Sequence, residues 1–222
     1  MKQYLLFDLD GTLTDPMVGI TSSVQYALEK FGIHVRYLKE LIPFIGPPLA
    51  ESFQKFYGFS KEDAEKAIQY YREYYTPKGI FENEVYEGIP EMLAHLTEAG
   101  FTLRVATAKP TVFARKVLEH FGIEDYFSFV GGSELDGSRT KKAEVISYIL
   151  KTCGIRAKEA IMIGDRRHDI EGGKACGLES VGVLYGYGME QELTEAGADH
   201  IIRTVAELED YLRNQGENPA KL

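Results

Sequence analysis

A regular alternation of short apolar segments with helical patterns, from about residue 85 onward, most limits the folds open to this chain. The apolar segments have the length of strands and lie at 101–107, 126–131, 160–165, 180–185 and 200–202, with one more at 4–7. Helical patterns fill the intervals, at 89–99, 112–121, 142–152, 169–176 and 205–212. Strands that alternate with helices in this way predict an α/β fold, with a doubly wound, mostly parallel sheet and helices on both faces.

Residues 16–83 have a different texture, because no convincing strand occurs in them. Three amphipathic helical patterns occupy 18–31, 49–57 and 61–75, separated by Gly and Pro residues that break helices. A length of 222 residues suits one large domain that carries a smaller insertion. The sequence therefore predicts an α/β core made of residues 1–15 and 84–222, and an all-helical domain made of residues 16–83.

Charge and composition exclude several classes of function. The formal net charge is −9, which disfavours binding to a nucleic-acid polymer through a basic surface. Cys153 and Cys176 form no CxxC pair, which is typical of reduced thiols in the cytoplasm. No apolar run approaches the roughly 20 residues that span a bilayer. We expect a cytoplasmic protein without membrane contact, and we expect its polar tail, 214–222, to fray.

Two carboxylates follow the first predicted strand directly, in the stretch Y-L-L-F-D-L-D-G-T. Because side chains alternate along a strand, Asp8 and Asp10 point to the same side and Leu9 points to the other. Like charges this close repel, and burial makes each of them more costly. Gly11 lets the backbone turn sharply next to whatever the two carboxylates hold. A chain that keeps such a pair solvates it, shares a proton between the two carboxylates or binds a cation there.

The second strand of the core ends in groups that suit a phosphate. Thr107 offers a hydroxyl, Ala108 offers a backbone amide, and Lys109 follows two residues after the threonine. A hydroxyl and an amide at a strand end can grip a phosphate oxygen. Thr107 by itself is also compatible with an ordinary strand terminus, so this interpretation depends on its context.

A third strand end adds two more carboxylates. The apolar segment A-I-M-I runs into Gly164 and Asp165, and Asp169 follows four residues later. With Asp8, these residues supply the hard oxygen ligands that Mg²⁺ prefers. Asp169 could instead cap the following helix. Arg139, Lys141 and Lys142 lie around the start of the helical pattern 142–152 and could neutralise an anion.

These motifs, in this order, resemble the haloacid dehalogenase superfamily along essentially the whole chain. The resemblance is carried by D-L-D-G-T-L at 8–13, Thr107, a lysine at 141–142 and G-D-R-R-H-D at 164–169. It implies a Rossmann-like catalytic core, and the position of the insertion resembles families with a small helical cap. Within these families, the stretch 71–89 is similar to the phosphoglycolate phosphatase and 5′-nucleotidase-like group.

The resemblance implies a role for each motif residue. Asp8 would be the nucleophile that forms an aspartyl-phosphate, and Asp10 the general acid and base. Thr107 would hold the phosphoryl group, while Lys142 and Mg²⁺ would offset its charge. The implied metal ligands are Asp8, the Asp10 backbone carbonyl, Asp165 and Asp169. Dehalogenases and phosphonatases lack the second aspartate, so Asp10 indicates phosphate-ester chemistry.

Several residues keep two interpretations. G-P-P-L at 46–49 resembles the family's substrate loop, so that Gly46 and Pro47 would face the substrate, but the same residues could be only a helix-breaking turn. Many relatives carry K-P-x-P at the third motif, whereas this chain has T-K-K-A-E. We prefer Lys142 to Lys141, because K-A-E-V-I is similar to the variant of the nucleotidase-like group. Arg166 and Arg167 could bind substrate or pair with nearby carboxylates.

The leading hypothesis is a Mg²⁺-dependent phosphomonoester hydrolase that acts on a small soluble phosphate ester, as a monomer or a weak homodimer. The alternative is a phosphomutase on the same scaffold, and a signalling receiver is disfavoured because receivers are shorter and have no helical insertion. Ten aromatic residues lie between positions 53 and 86. They could stack a nucleobase, but we favour a role in the core of the small domain. The run G-Y-G at 186–188 is interpreted as a loop. The substrate and the oligomeric state stay open.

Overall fold

The computed structural model describes residues 2–216 and contains a six-stranded parallel sheet. The strands are β1 Tyr4–Phe7, β2 Thr14–Asp15, β3 Glu84–Val85, β4 Thr102–Pro110, β5 Phe127–Ser133, β6 Ala160–Gly164, β7 Glu179–Val183 and β8 His200–Ile202. The sheet has the order β5-β4-β1-β6-β7-β8, and each of its five strand pairs is parallel. The chain reverses its direction across the sheet between β5 and β6. This reversal places the crevice of a doubly wound fold next to β1.

Nine α-helices accompany the strands in the described part of the chain. They are α1 Met17–Glu29, α2 Leu49–Tyr57, α3 Lys61–Tyr75, α4 Ile89–Glu98, α5 Thr111–His120, α6 Lys142–Cys153, α7 Arg167–Ala175, α8 Glu190–Ala196 and α9 Val205–Gly216. The predicted α/β fold with a parallel sheet is confirmed. None of the helices within residues 2–216 combines the length and the apolar character that crossing a membrane requires.

The chain divides into two compact units. The core unit consists of the chain up to Leu13 and from Val85 onward, and the inserted unit is Thr14–Glu84. The chain leaves the core unit after Leu13 and returns to it at Val85. These two points are adjacent, because the Tyr86 amide donates a hydrogen bond to the Leu13 carbonyl at 3.2 Å. An insertion whose two ends are adjacent does not interrupt the six-stranded sheet.

The core unit is built on strands that are apolar on both faces. On one face, Leu6, Ala106 and Met162 pack against Val145 and Ile149 of α6. Leu5 and Phe7, whose side chains lie on the opposite face of the sheet, are also fully buried. Strands buried on both faces are typical of parallel sheets covered by helices on each side.

The inserted unit contains α1–α3 and a 3-10 helix, Leu38–Phe44, which the sequence patterns did not indicate. Its aromatic residues pack on one another: the rings of Phe44 and Phe53 are 5.0 Å apart, and those of Tyr71 and Tyr75 are 5.1 Å apart. Phe53, Tyr71 and Tyr75 are buried. Large rings thus form much of the core of this small unit, as the interpretation that we favoured requires.

Besides this 3-10 helix, three features of the fold differ from the sequence predictions. The prediction missed α8, whose sequence E-Q-E-L-T-E-A carries too few apolar residues to show a helical period. It also missed the pairing of β2 with β3, because two-residue strands have no periodicity to read. Finally, α9 continues to Gly216, so residues 214–216 are helical rather than frayed. The rest of the tail, 217–222, lies outside the described residues.

Candidate active site

Three buried aspartates meet at the carboxyl ends of the central strands. Asp8 follows β1, Asp165 follows β6, and Asp169 lies in the first turn of α7. One carboxylate oxygen from each lies within 4.8 Å of the corresponding oxygens of the other two. Because β1 and β6 are neighbours in the sheet, residues that are distant in sequence come together at this edge. The side chains of Asp165 and Asp169 are 0% and 1% exposed, so the cluster is shielded from water.

Lys142, the first residue of α6, bridges two of these carboxylates. Its Nζ lies 2.8 Å from Asp8 Oδ1 and 2.7 Å from Asp169 Oδ1, and it donates to the Ala106 carbonyl at 2.8 Å. The side chain of Lys141 is exposed. Of the two lysines that the sequence left as alternatives, Lys142 is therefore the one that lies in the carboxylate cluster.

Burial and mutual repulsion shift the pKa values of the cluster. Burial raises the pKa of Asp165 well above its ordinary value, and the neighbouring Asp169 and Asp8 raise it further. Burial also raises the pKa of Asp169, to about 6, although Lys142 lowers it. For Lys142, burial by itself lowers the pKa, but Asp169 and Asp8 outweigh it and raise the pKa above its usual range. Burial and the proximity of like charges therefore both disfavour the ionised forms of Asp165 and Asp169.

Asp10 has a lysine partner of its own. Lys109 Nζ lies 2.8 Å from Asp10 Oδ1 and 2.6 Å from Oδ2, and both side chains are buried. Burial raises the pKa of Asp10 in spite of Lys109, which lowers it. The sequence suggested that Lys109 contacts substrate, but it did not indicate that Lys109 is paired with Asp10.

The residues predicted to grip a phosphate lie at the end of β4, beside β1. Thr107 is buried, and its Oγ1 accepts a hydrogen bond from the Lys109 amide at 3.2 Å. The Ala108 carbonyl accepts from Ser133 Oγ at 2.7 Å, which ties β4 to β5. Gly11 has a φ of +87°, and a Cβ there would lie 2.3 Å from Asp165 Oδ2. A side chain at position 11 would therefore collide with the carboxylate of Asp165, a candidate metal ligand.

Asp169 caps α7, which is one of the two roles that the sequence left open, and its role as a metal ligand stays a prediction. Its Oδ2 accepts from the Arg166 amide at 3.0 Å, as a helix-capping carboxylate does, while Oδ1 faces Lys142. Arg166 Nε pairs with Glu192 at 3.0 Å, and the Arg167 amide donates to the same Glu192 oxygen at 3.0 Å. Arg166 therefore has a local carboxylate partner, the second of its two interpretations.

Gly46 and Pro47 belong to the inserted unit, between the 3-10 helix and α2. Gly46 has a φ of +100°, a conformation that glycine adopts at no steric cost. Their contact with substrate stays a prediction.

Sequence analysis identified residues 186–188 as a loop but missed its contact with Asp165. The Tyr187 amide donates to Asp165 Oδ2 at 2.8 Å, and the Tyr185 hydroxyl donates to the Thr12 carbonyl at 3.1 Å. Thr12 Oγ1 lies 3.4 Å from Asp165 Oδ1. The available signal was the pair of glycines, Gly186 and Gly188, since glycine just after a strand often marks a close backbone approach.

The family model described as haloacid dehalogenase-like hydrolase matches residues 5–183, a span that contains all of the clustered aspartates and Lys142. The chain belongs to the haloacid dehalogenase-like hydrolase family. The resemblance inferred from the four motifs is confirmed, and so is the prediction that the chain is an enzyme.

Several similar proteins support the assignment to the haloacid dehalogenase-like hydrolases. A 5′-nucleotidase of Pseudomonas aeruginosa is 47% identical over 95% of this chain and 95% of its own length. A tyrosine-protein kinase PtkA of Mycobacterium tuberculosis is 41% identical over 84% of this chain, which corresponds to 63% of its own length. The crystal structure of a predicted phosphatase from Clostridium acetobutylicum superposes with a TM-score of 0.95 and 48% identity, covering 96% of this chain and 99% of that one. The prediction of a phosphatase of this family is confirmed at the level of enzyme class.

Proposed function

We propose that the chain is a Mg²⁺-dependent hydrolase of small phosphomonoesters that works through an aspartyl-phosphate on Asp8. The observation that carries the proposal is the buried cluster of Asp8, Asp165 and Asp169, which Lys142 bridges at one side. Such a cluster serves phosphoryl transfer, which requires a positioned nucleophile and compensated negative charge rather than elaborate covalent chemistry.

The three clustered carboxylates are chemically suited to bind a divalent cation. Three buried carboxylates lie around the Lys142 ammonium, and burial together with the neighbouring carboxylates raises the pKa values of Asp165 and Asp169. Carboxylate oxygens are hard ligands of the kind that Mg²⁺ binds. Asp8, Asp165, Asp169 and the Asp10 backbone carbonyl would hold the ion. When bound, Mg²⁺ offsets negative charge on the phosphoryl oxygens.

In the first step, an Asp8 carboxylate oxygen attacks phosphorus and the bond from phosphorus to the ester oxygen breaks. The leaving alkoxide takes a proton from Asp10, so a neutral alcohol departs and Asp10 becomes ionised. Burial raises the pKa of Asp10, which favours the protonated form that this step needs. Thr107 and Lys142 hold the transferred group.

In the second step, Asp10 accepts a proton from water, and the resulting hydroxide oxygen attacks the phosphorus of the aspartyl-phosphate. The bond between Asp8 and phosphorus breaks, inorganic phosphate leaves, and both aspartates return to their starting states. One carboxyl group therefore acts first as acid and then as base.

Lys109 limits when Asp10 can act. Both Asp10 oxygens lie within 2.8 Å of Lys109 Nζ, so the resting carboxyl is held in an ion pair. An arriving phosphate dianion competes for the same ammonium. We infer that substrate draws Lys109 away from Asp10, and that Asp10 then takes up a proton from solvent while Lys109 binds the phosphate. This proton is the one that Asp10 gives to the leaving alkoxide.

The inserted unit is proposed to be a cap that excludes bulk water during the attack and favours small substrates. Nucleoside monophosphates lead the list of substrates, because the 5′-nucleotidase relative is 47% identical over almost its whole length. Phosphoglycolate is the other substrate class that the sequence indicated. The cytoplasmic location and the monomeric or weakly dimeric state stay predictions.

The test is phosphate release from a panel of nucleoside monophosphates, phosphoglycolate, sugar phosphates and phosphotyrosine, with Mg²⁺ or with EDTA. We expect release that requires Mg²⁺ and that Asp8→Asn abolishes, while the exposed-site control Asp125→Asn retains it. Activity that survives in Asp8→Asn would refute the nucleophile. Transfer of phosphate between sugars without release would instead identify the phosphomutase.

A further inference from the structure

The loop Tyr185–Gly188, which follows β7, packs directly on Asp165 although it lies outside the four motifs. Its Tyr187 amide donates to Asp165 Oδ2 at 2.8 Å. On the other oxygen, Oδ1, the hydroxyl of Thr12 lies at 3.4 Å. A donor at each oxygen restricts rotation of the carboxylate about its Cβ–Cγ bond.

The same loop is tied to the turn that carries the nucleophile. The Tyr185 hydroxyl donates to the Thr12 carbonyl at 3.1 Å, and Thr12 lies four residues after Asp8. The ring of Tyr185 packs edge-on against Tyr86, with centroids 5.3 Å apart. These contacts connect the loop to two other segments of the core unit, so its position is well determined.

The two glycines of the loop make this approach possible. A methyl group at Gly186 would lie 2.1 Å from the Gly11 carbonyl oxygen and 2.5 Å from Asp165 Cβ. A methyl group at Gly188 would lie 1.7 Å from the Asp165 carbonyl oxygen. None of these contacts is possible for real atoms, and the nearest opposing atom at each glycine is a backbone carbonyl oxygen, which cannot move aside cheaply. Any side chain at these positions would push the loop, and with it the Tyr187 amide, away from Asp165.

We propose that the loop Tyr185–Gly188 is a positioning element that orients the Asp165 carboxylate for the divalent cation, through the Tyr187 amide. The inference rests on the proposed metal site. Residues that hold a metal ligand in place typically change metal affinity 10- to 100-fold when they are altered. The loop contacts no reacting atom in this scheme, and its contribution is made through Asp165.

The experiment measures Mg²⁺ affinity of the intact chain by isothermal titration calorimetry, with thermal unfolding in EDTA as a separate measure of stability. The decisive variant replaces Tyr187 with its α-hydroxy acid analogue, which deletes the amide hydrogen and keeps the side chain. The second variant is Gly186→Ala. The control is Gly100→Ala, which strains a backbone with φ of +88° but meets no atom within 4 Å.

We expect both loop variants to bind Mg²⁺ about 10- to 100-fold more weakly than the wild type. Gly100→Ala should unfold at a lower temperature but keep the wild-type affinity, which separates positioning from general loss of stability. A Tyr187 variant that binds Mg²⁺ within twofold of the wild type would overturn the inference and leave the metal site standing. A wild-type protein that binds no Mg²⁺ would overturn the proposed metal site and the inference together.

Discussion

At the scale of single residues, the site concentrates buried charge that the fold by itself does not need. Asp8, Asp10, Asp165 and Asp169 are buried, with Lys109 and Lys142 among them. A buried charge without enough partners costs stability, and the raised pKa of Asp165 expresses that cost directly. The arrangement therefore indicates selection for chemistry at the expense of stability.

The first residue-scale prediction concerns the lysine that bridges Asp8 and Asp169. Lys142→Met is expected to lower kcat at least about 100-fold, because it removes positive charge next to Asp8, the proposed nucleophile. It should also destabilise the fold by about 3–5 kcal/mol, since it leaves buried carboxylates without their partner. Denaturant unfolding and phosphate release measure the two effects.

Lys141→Met is the matched control, because that side chain is exposed one residue earlier. It should stay within about 0.5 kcal/mol of the wild-type stability and retain activity. An inactive Lys141→Met beside an active Lys142→Met would show that the assignment of the third motif is off by one residue.

The second residue-scale prediction is that Asp165→Asn separates metal binding from folding. The pKa of Asp165 is raised above 3.8 in the folded protein. Ionisation of this carboxyl therefore lowers the free energy of unfolding of the protein as the pH rises from about 4 toward the folded pKa. Asparagine mimics the protonated form at every pH. In EDTA at pH 7, the variant should therefore unfold at the wild-type temperature or above it.

With Mg²⁺ in place of EDTA, the wild type should unfold at a higher temperature than Asp165→Asn. Ligand at about 100 times its Kd stabilises a fold by about 2.7 kcal/mol, which corresponds to roughly 5–10 °C in Tm for a chain of this size. We expect that rise in the wild type and none in Asp165→Asn, by differential scanning calorimetry. An equal rise in both proteins would exclude Asp165 as a ligand.

At the scale of elements, α8 supports the start of α7, where Asp169 lies. Glu192 of α8 binds the Arg166 side chain and the Arg167 amide. The same helix carries a second ion pair, between Glu190 and Arg203, that is far more exposed. One helix therefore offers two ion pairs that differ mainly in burial.

Double-mutant cycles to alanine at these two pairs are expected to give different coupling energies. The half-buried pair of Arg166 and Glu192 should couple by about 1 kcal/mol or more, because its charge is shielded from water. The exposed pair of Glu190 and Arg203 should couple by less than about 0.5 kcal/mol. Urea unfolding measures both. Equal couplings would mean that α8 does not hold α7 through Arg166.

At the scale of the whole molecule, every residue of the carboxylate cluster lies in the core unit. The chain leaves that unit after Leu13 and returns at Val85, and the Leu13 carbonyl and the Tyr86 amide are 3.2 Å apart. A short turn can bridge such a gap. Metal binding should therefore need only the core unit, whereas control of water and substrate is assigned to the inserted unit.

Replacing residues 16–83 with a Gly-Ser turn is expected to leave a folded core that Mg²⁺ still stabilises. Phosphate release from small esters should fall, because bulk water then reaches Asp8 during the attack. Circular dichroism tests whether the core is folded, calorimetry tests its stabilisation by Mg²⁺, and the phosphate assay measures the loss of activity. Full activity without the insertion would remove its proposed role as a cap.

Much of the fold followed from local pattern. The alternation of strands and helices after residue 85 predicted the parallel sheet, because period and length are properties of short segments. The clustering of Asp8, Asp165 and Asp169 was foreseeable as well, since the carboxyl ends of parallel strands share one edge of a sheet. Short polar α8 and the two-residue strands β2 and β3 carried no periodic signal and were missed.

The sequence by itself determined the fold class and the residue types at the strand ends. Only the tertiary structure decided which charges pair: Lys109 with Asp10, 99 residues away, and Lys142 with both Asp8 and Asp169. It also revealed the Tyr187 amide at Asp165. The physical reason is that such contacts depend on where separate strand ends and loops meet in space, whereas periodicity and motif spacing report only on neighbours along the chain.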